Sequence, residues 1–198
     1  MKHFNIITAM CRNWGIGKNN GLPWYYKKDM SYFKKMTTPS TIGSKSVIMG
    51  SKTWKSLPGR NGLIGRNNIV ISQSDKTRAL IYGEAVHNKC NVNVVGSLDE
   101  ALLLCKFDSD IPWVIGGSQI YDIAMKHSCA NELHLSFIDK EYNCDVFFPK
   151  IPRSYSLITA KKERENDTDI YFCTLKQIGE DNKEEMNLIK RIMEMAPH

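Results

Sequence analysis

The sequence predicts an α/β protein: a three-layer fold with a central mixed, mostly parallel sheet of about eight strands and a C-terminal antiparallel hairpin. Three observations carry this. Apolar or alternating runs rich in β-branched residues recur eight times, from His3–Met10 to Asp169–Leu175. Between many of them lie stretches with apolar residues at helical spacing, and strands alternating with helices imply a largely parallel sheet. The last two runs, Ser156–Thr159 and Asp169–Leu175, have no helical pattern between them, so they form a hairpin at an edge.

Taken in order, His3–Met10 reads as the first strand. Tyr25–Met36 reads as a helix, because Tyr25, Tyr32, Phe33 and Met36 share one apolar face. Lys45–Met49, Asn68–Ile71, Asn91–Val95, Pro112–Ile115 and Glu132–Ile138 are strands, and Lys52–Leu57, Leu98–Cys105 and Gln119–Lys126 are helices. Gly179–Lys183 is polar and breaks the last strand. Met186, Ile189, Ile192 and Met193 then recur at helical spacing, which divides the chain into a domain over 1–178 and a polar linker with an amphipathic helical tail over 179–198.

Composition bounds the class. The 198 residues are 42% hydrophobic and 24% charged, ordinary for one soluble domain. No apolar run approaches the roughly 20 residues that span a bilayer. The opening MKHFNIITAM lacks a cleavage pattern and reads as a strand, so the expected location is cytoplasmic. The six cysteines form no C-x-x-C pair, which argues against zinc and thioredoxin-type chemistry and for reduced thiols. The net charge of +6 contains no Lys/Arg run of five, so no nucleic-acid partner is expected; a pocket for anionic small molecules fits better.

One residue breaks the helical pattern. Asp29 is the only acid before Asp75, among twelve Lys and Arg in the first 74 positions. It falls on the apolar face of its helix, four residues from both Tyr25 and Phe33. A carboxylate there is costly unless it has a partner. A helix cap or a salt bridge to a neighbouring Lys is the plainer alternative.

Four strand ends share one chemical character. The first strand runs into Arg12-Asn13-Trp14-Gly15-Ile16-Gly17. "VIMGSKTW" is a strand followed by Gly50-Ser51-Lys52-Thr53 opening a helix. "NIVISQS" ends in Ser72 and Ser74, and "WVIGGSQIY" passes through Gly116-Gly117-Ser118 into another helix. Helix N-termini suit phosphates and glycine allows close approach. A turn of this kind, taken alone, is more often a plain turn; together they suit an extended ligand with more than one phosphate. No G-x-G-x-x-G follows the first strand, which disfavours a Rossmann dehydrogenase.

In their order and spacing, "GIGKNNGLPW", the acid five positions after Trp24, "VIMGSKTW", "GRNNIVIS", "WVIGGSQIY", "LHLSFI" and "CDVFFP" resemble the motif set of the dihydrofolate reductase family, over about His3 to Ile178. The resemblance implies reduction of 7,8-dihydrofolate to tetrahydrofolate with NADPH, no metal, binding of antifolate inhibitors and a place in one-carbon metabolism. It implies roles as well. Asp29 anchors the pterin through its 2-amino group and N3–H and favours protonation at N5. Trp24 orders a water, Leu22 belongs to the loop that closes over the nicotinamide, and Ser136 stands where a threonine is usual. Tyr121 lies by the nicotinamide. Ile7, Thr8 and Ile115 line the pterin. Met30, Phe33, Leu57 and Leu63 form apolar walls, although a core role fits these four equally. Arg66 pairs with the α-carboxylate of the folate glutamate. Asp145 steadies the mobile loop, or is a plain turn residue.

The cofactor positions implied are Ala9, Ile16 and Gly17, then Ser51, Lys52 and Thr53, then Ser72 and Gln73, and finally Gly116, Gly117, Ser118, Gln119 and Ile120, with a cis peptide between Gly116 and Gly117. The three places where the family usually meets the 2′-phosphate with basic side chains read Ser51, Gln73 and Gly96 here. Lys52, Ser72 and Ser74, with Lys76 or Arg78 from the following loop, remain nearby, so a reduced NADPH preference is expected. The alternatives are another pterin or pyrimidine reductase of the same fold and a non-catalytic folate- or nucleotide-binding module. The tail "EEMNLIKRIMEM" resembles the opening helix of thymidylate synthase, which leaves two options: a monomer, or a reductase attached to that enzyme.

Overall fold

A computed structural model describes residues 2–39, 45–58, 62–88, 91–105, 110–178 and 188–195. In chain order the elements are β1 (Phe4–Cys11), β2 (Gly15–Gly17), α1 (Lys27–Thr37), β3 (Ser46–Gly50), α2 (Ser51–Ser56), β4 (Asn67–Ile71), α3 (Asp75–His87) and β5 (Val92–Val95). There follow α4 (Leu98–Leu104), β6 (Trp113–Gly116), α5 (Ser118–Lys126), β7 (Ala130–Ile138), β8 (Val146–Phe147), β9 (Tyr155–Glu165), β10 (Thr168–Gln177) and α6 (Leu188–Met195).

Eight strands form one sheet in the order β5-β4-β3-β6-β1-β7-β10-β9, and β2 pairs with β8 in a small second sheet. Every pair from β5 to β7 is parallel, whereas β10 runs antiparallel to both β7 and β9. The expected mixed sheet with a terminal hairpin is therefore observed. β1 is nearly continuous in apolar residues because it is covered on both faces. Phe4, Ile6 and Met10 face a cluster with Leu102 of α4 and Tyr121 and Met125 of α5. Ile7 faces a second cluster with Trp54 of α2 and Ile81 of α3, with Phe33 of α1 packed against it.

Four expectations need correction. The first helix begins at Lys27, not Tyr25. Trp24 and Tyr26 are buried while Tyr25 between them is 71% exposed, the two-residue alternation of extended chain. Helix α3 has no counterpart in the sequence reading. Its apolar residues lie all round it, Ile81 and Ala85 buried but Leu80, Tyr82 and Val86 exposed, so no single face marks it. The first strand of the terminal hairpin is eleven residues rather than four, because this edge strand carries the charged run Lys161–Glu165. The β2–β8 sheet was also missed, its strands being too short to show a period.

The tail helix docks. Leu188 and Ile192 are buried in the main cluster beside β9, with Ile189 packed against it. The polar stretch 179–183, Met186 and the side chain of Met193 lie outside the described residues. Two large aliphatic side chains buried on one helix contribute roughly 1.5–3 kcal/mol each before the cost of ordering the helix. Truncation after Ile178 is therefore expected to lower the urea midpoint measurably. It should leave kcat within a few-fold, because α6 packs on β9 rather than on the β3–β6–β1 strand ends. A truncated protein with unchanged urea stability would show that the helix contributes nothing to the core.

Candidate active site

With six strands parallel, the carboxyl ends of β1, β3, β4 and β6 open on one side of the sheet, where an open α/β sheet binds ligands. In register, Ile7, Thr8 and Ala9 lie against His134, Leu135 and Ser136 of β7. Ala9 and Ser136 are thus neighbours at the end of the central strands.

Asp29 sits in the first turn of α1 and is 5% exposed. Burial pushes its carboxyl up to about 6. The Ser136 hydroxyl, aimed at it, opposes that rise; the negative charge of Glu165 adds to it, and Trp24 pulls weakly the other way. The indole Nε1 of Trp24 is itself buried and stops short of any hydrogen-bond partner. A buried carboxylate and an orphaned buried N–H side by side are both groups that a polar ligand or water would satisfy. The cap alternative for Asp29 does not hold, since the α1 cap makes no side-chain bond, and no ion pair to Asp29 occurs among the described residues.

Phe33, Leu57 and Leu63 are half-buried at the rim of the cluster that contains Ile7 and Ile115. Met30 is not drawn in: it is 43% exposed. Arg66 is half-buried at the far end of α1. Its Nε donates to the Thr37 carbonyl at 3.2 Å, Nη1 to the Ile64 carbonyl at 3.2 Å and Nη2 to Thr38 Oγ1 at 2.9 Å. All three acceptors are neutral, and burial lowers the guanidinium's pKa with no carboxylate to oppose it. Among the described residues the fork is oriented without being neutralised, as an anion site requires.

The loop that presents Arg66 is tied down by Asn68, which the sequence did not single out. Its Oδ1 accepts from Leu63 N–H at 2.8 Å, and its Nδ2 donates to the carbonyls of Leu63 and Arg66, both at 3.2 Å. An asparagine near the start of a strand carries no sequence signal of such a task.

Across β1 lies the glycine-lined side. The Gly116–Gly117 peptide is cis, and Gly116 adopts φ +124°, a conformation that favours glycine. A Cβ there would meet the Tyr121 hydroxyl at 3.1 Å and Thr53 Oγ1 at 3.4 Å. Tyr121 is buried, donates to the Ile7 carbonyl at 2.8 Å and is raised in pKa by burial. The turn at Gly50 packs on Ile120, so the starts of α2, with Ser51, Lys52 and Thr53, and of α5 are adjacent. Ser118 Oγ donates to the Phe147 carbonyl at 2.7 Å, and Gln119 is exposed.

The Ser72 and Ser74 oxygens accept local backbone bonds, which leaves each O–H able to donate. Ser72 Oγ accepts from Ser74 N–H at 3.3 Å, and Ser74 Oγ caps α3 by accepting from Thr77 N–H at 3.2 Å. Lys76 and Arg78 belong to α3 rather than to a loop, and Arg78 pairs with Asp75 at 2.6 Å. Gln73 is exposed, and Gly96 N–H donates to Glu100 Oε2 at 2.9 Å, which brings an acid to that corner.

The loop after β1 is held by the segment before β8. Asp145 Oδ2 accepts from Asn19 N–H at 2.9 Å, and Asp145 N–H donates to the Gly17 carbonyl at 3.0 Å. Ile16 and Gly17 lie in β2, while Leu22 beyond it is 50% exposed. Gly15 admits no side chain, since a Cβ would run into Cys144. All five described cysteines, Cys144 included, are free thiols; Cys90 lies outside the described residues.

A family profile described as dihydrofolate reductase matches residues 3–178, nearly the whole chain. The chain belongs to the dihydrofolate reductase family. The dihydrofolate reductase of Heliothis virescens is 36% identical over 185 residues, covering 88% of this chain and 97% of that protein. That of Pneumocystis carinii is 34% identical over 198 residues, 92% of each. The Gallus gallus enzyme is 36% identical over 169 residues, 80% of this chain and 85% of its own. The family's cofactor is NADPH, and at Gly116 and Gly117 a Cβ would crowd Tyr121 and Thr53, so only bare backbone fits at this strand end.

Proposed function

We infer that the protein reduces 7,8-dihydrofolate to tetrahydrofolate, and we propose the residues that do it. Bound NADPH supplies the hydride that reaches pterin C6. The chain supplies position, a dry pocket and charge. Asp29 accepts hydrogen bonds from the 2-amino group and N3–H of the pterin, a planar two-point pairing, and its negative charge favours the proton that arrives at N5. Ser136 keeps that carboxylate oriented. Trp24 orders a water beside it through its unpartnered N–H. Phe33, Leu57 and Leu63 with Ile7 and Ile115 exclude solvent. Arg66 takes the α-carboxylate of the glutamate tail. Tyr121 shapes the nicotinamide side, and Asp145 holds the loop that carries Leu22. The observation that carries the reading is the buried carboxylate of Asp29 beside the orphaned N–H of Trp24. In partners, the reading is a monomer of reductase with a docked tail helix, binding dihydrofolate and antifolates. Loss of reduced-nicotinamide absorbance that depends on added dihydrofolate tests it; oxidation without dihydrofolate, or none with it, refutes it.

The 2′-phosphate corner yields a narrower expectation. Ser72 and Ser74 offer neutral hydroxyls, Arg78 is paired and Glu100 adds negative charge, so the cation assigned to the phosphate is Lys52 of the α2 turn itself. A charge-assisted bond is about twice as strong as a neutral one. NADPH is expected to exceed NADH in kcat/KM by less than roughly a thousandfold, or about 4 kcal/mol. Lys52→Ala should narrow that ratio further at low salt. A ratio unchanged by Lys52→Ala would remove Lys52 from the phosphate site.

A further inference from the structure

The first turn of an α-helix leaves backbone N–H groups without partners in the helix. In α1 the local sequence offers them nothing: the cap residue is Tyr26, and its side chain makes no bond to the helix's N–H groups. The partner comes from the far end of the chain. Glu165 Oε1 accepts from Lys27 N–H at 2.8 Å and Oε2 from Lys28 N–H at 2.8 Å. One carboxylate thus closes two donors of the turn that carries Asp29.

The β9–β10 hairpin is built to deliver it. Glu165 ends β9, and the chain reverses through Asn166 at φ +54°, a left-handed conformation that asparagine tolerates. Thr168, which opens β10, accepts from the Tyr26 hydroxyl at 3.0 Å, and that hydroxyl lies 2.6 Å from the Tyr142 hydroxyl. The hairpin tip therefore grips both sides of the turn between Trp24 and Asp29.

We propose that Glu165 is a positioning residue for the reductase site: it fixes the first turn of α1, and with it Asp29, and sets a negative charge against that carboxylate. The inference rests on reading Asp29 as the pterin anchor. Four groups face Asp29: Ser136 from β7 and Trp24 from the preceding segment favour its charge, Glu165 opposes it, and Tyr121 from α5 is neutral. Around Glu165, the Lys28 ammonium is engaged by Glu163 at 2.9 Å, and Glu163 also takes Lys161 at 2.7 Å, so the Glu165 carboxylate rests on backbone donors.

The test compares kcat, KM for dihydrofolate and the pH profile of the wild type with Glu165→Gln, Glu165→Ala, Asp29→Asn and the double variant Glu165→Gln/Asp29→Asn. Glu165→Ala is expected to raise KM about fivefold, the scale of a lost helix cap. Glu165→Gln keeps one acceptor oxygen and loses the charge, so the acid limb of its profile should move to lower pH. On the Asp29→Asn background the same change should move no limb, a readout that a purely structural role would not produce. If Glu165→Ala fails to fold, Glu165→Gln decides. Wild-type KM and pH profile in both Glu165 variants, beside an impaired Asp29→Asn, would overturn this inference alone. Full activity in Asp29→Asn would overturn the reading of the site on which it rests.

Discussion

Asp29→Asn is expected to lower kcat at neutral pH by roughly 10²-fold or more, the scale of an acid–base group. Asn keeps the shape but presents an amide where an anion is needed to favour the protonated pterin. Activity should recover partly at low pH, where the substrate is already protonated. The same variant should be more stable than the wild type at neutral pH. Burial raises the folded Asp29 carboxyl to about 6 from its ordinary value of 3.8. Below about 4 it is protonated in both states and costs nothing. Between about 4 and 6 the unfolded carboxyl ionises while the buried one holds its proton, so stability falls by up to about 3 kcal/mol, a loss complete once the buried group ionises above about 6. Asn never ionises and escapes that loss. A variant with near-wild-type turnover at neutral pH would remove Asp29 from the mechanism; a drop in turnover with equal loss of stability would make it a structural residue.

Arg66→Leu is expected to act on binding. Losing one buried partner of a charge pair costs about 2–5 kcal/mol, or between about thirtyfold and several thousandfold in Kd. The loss should fall on folate and on antifolates that carry a glutamate. Pterin analogues without one should bind almost unchanged, because Arg66 is held by Thr37, Thr38 and Ile64 at the far end of α1 from Asp29. Those bonds also anchor the end of the helix, so urea stability is measured in parallel. Equal losses for both ligand classes would refute the role.

Much of the fold was legible because its strands are covered on both faces and read as apolar runs, and the crossovers α1, α2, α4 and α5 show a single apolar side or a glycine turn. Helix α3 was not legible because its apolar residues face several directions and only Ile81 and Ala85 are buried. Within the site, Asp29 stood out as a lone acid in a basic stretch, and burial gives that oddity its physical meaning. Arg66 was found through the motif around it. The groups that hold these two in place were not found. Asn68 acts through bonds to a loop, and Glu165 reaches α1 from a hairpin 137 residues away. Neither contact has a period or a spacing in the chain, since only the packed fold brings the partners together. Leu22 and Met30, implied by resemblance, remain half-exposed where α1 and the loop before it open to solvent.

The most direct test of Asp29 as ligand anchor is the titration of its own carboxyl, followed by the carbon chemical shift of labelled aspartate, with and without bound folate. In the free protein the midpoint is expected near 6, raised by burial. Two donated N–H bonds favour the charged form, so folate should move the midpoint well down and hold the carboxylate ionised. A midpoint that folate leaves where it was, in a protein that binds folate, would contradict the assignment.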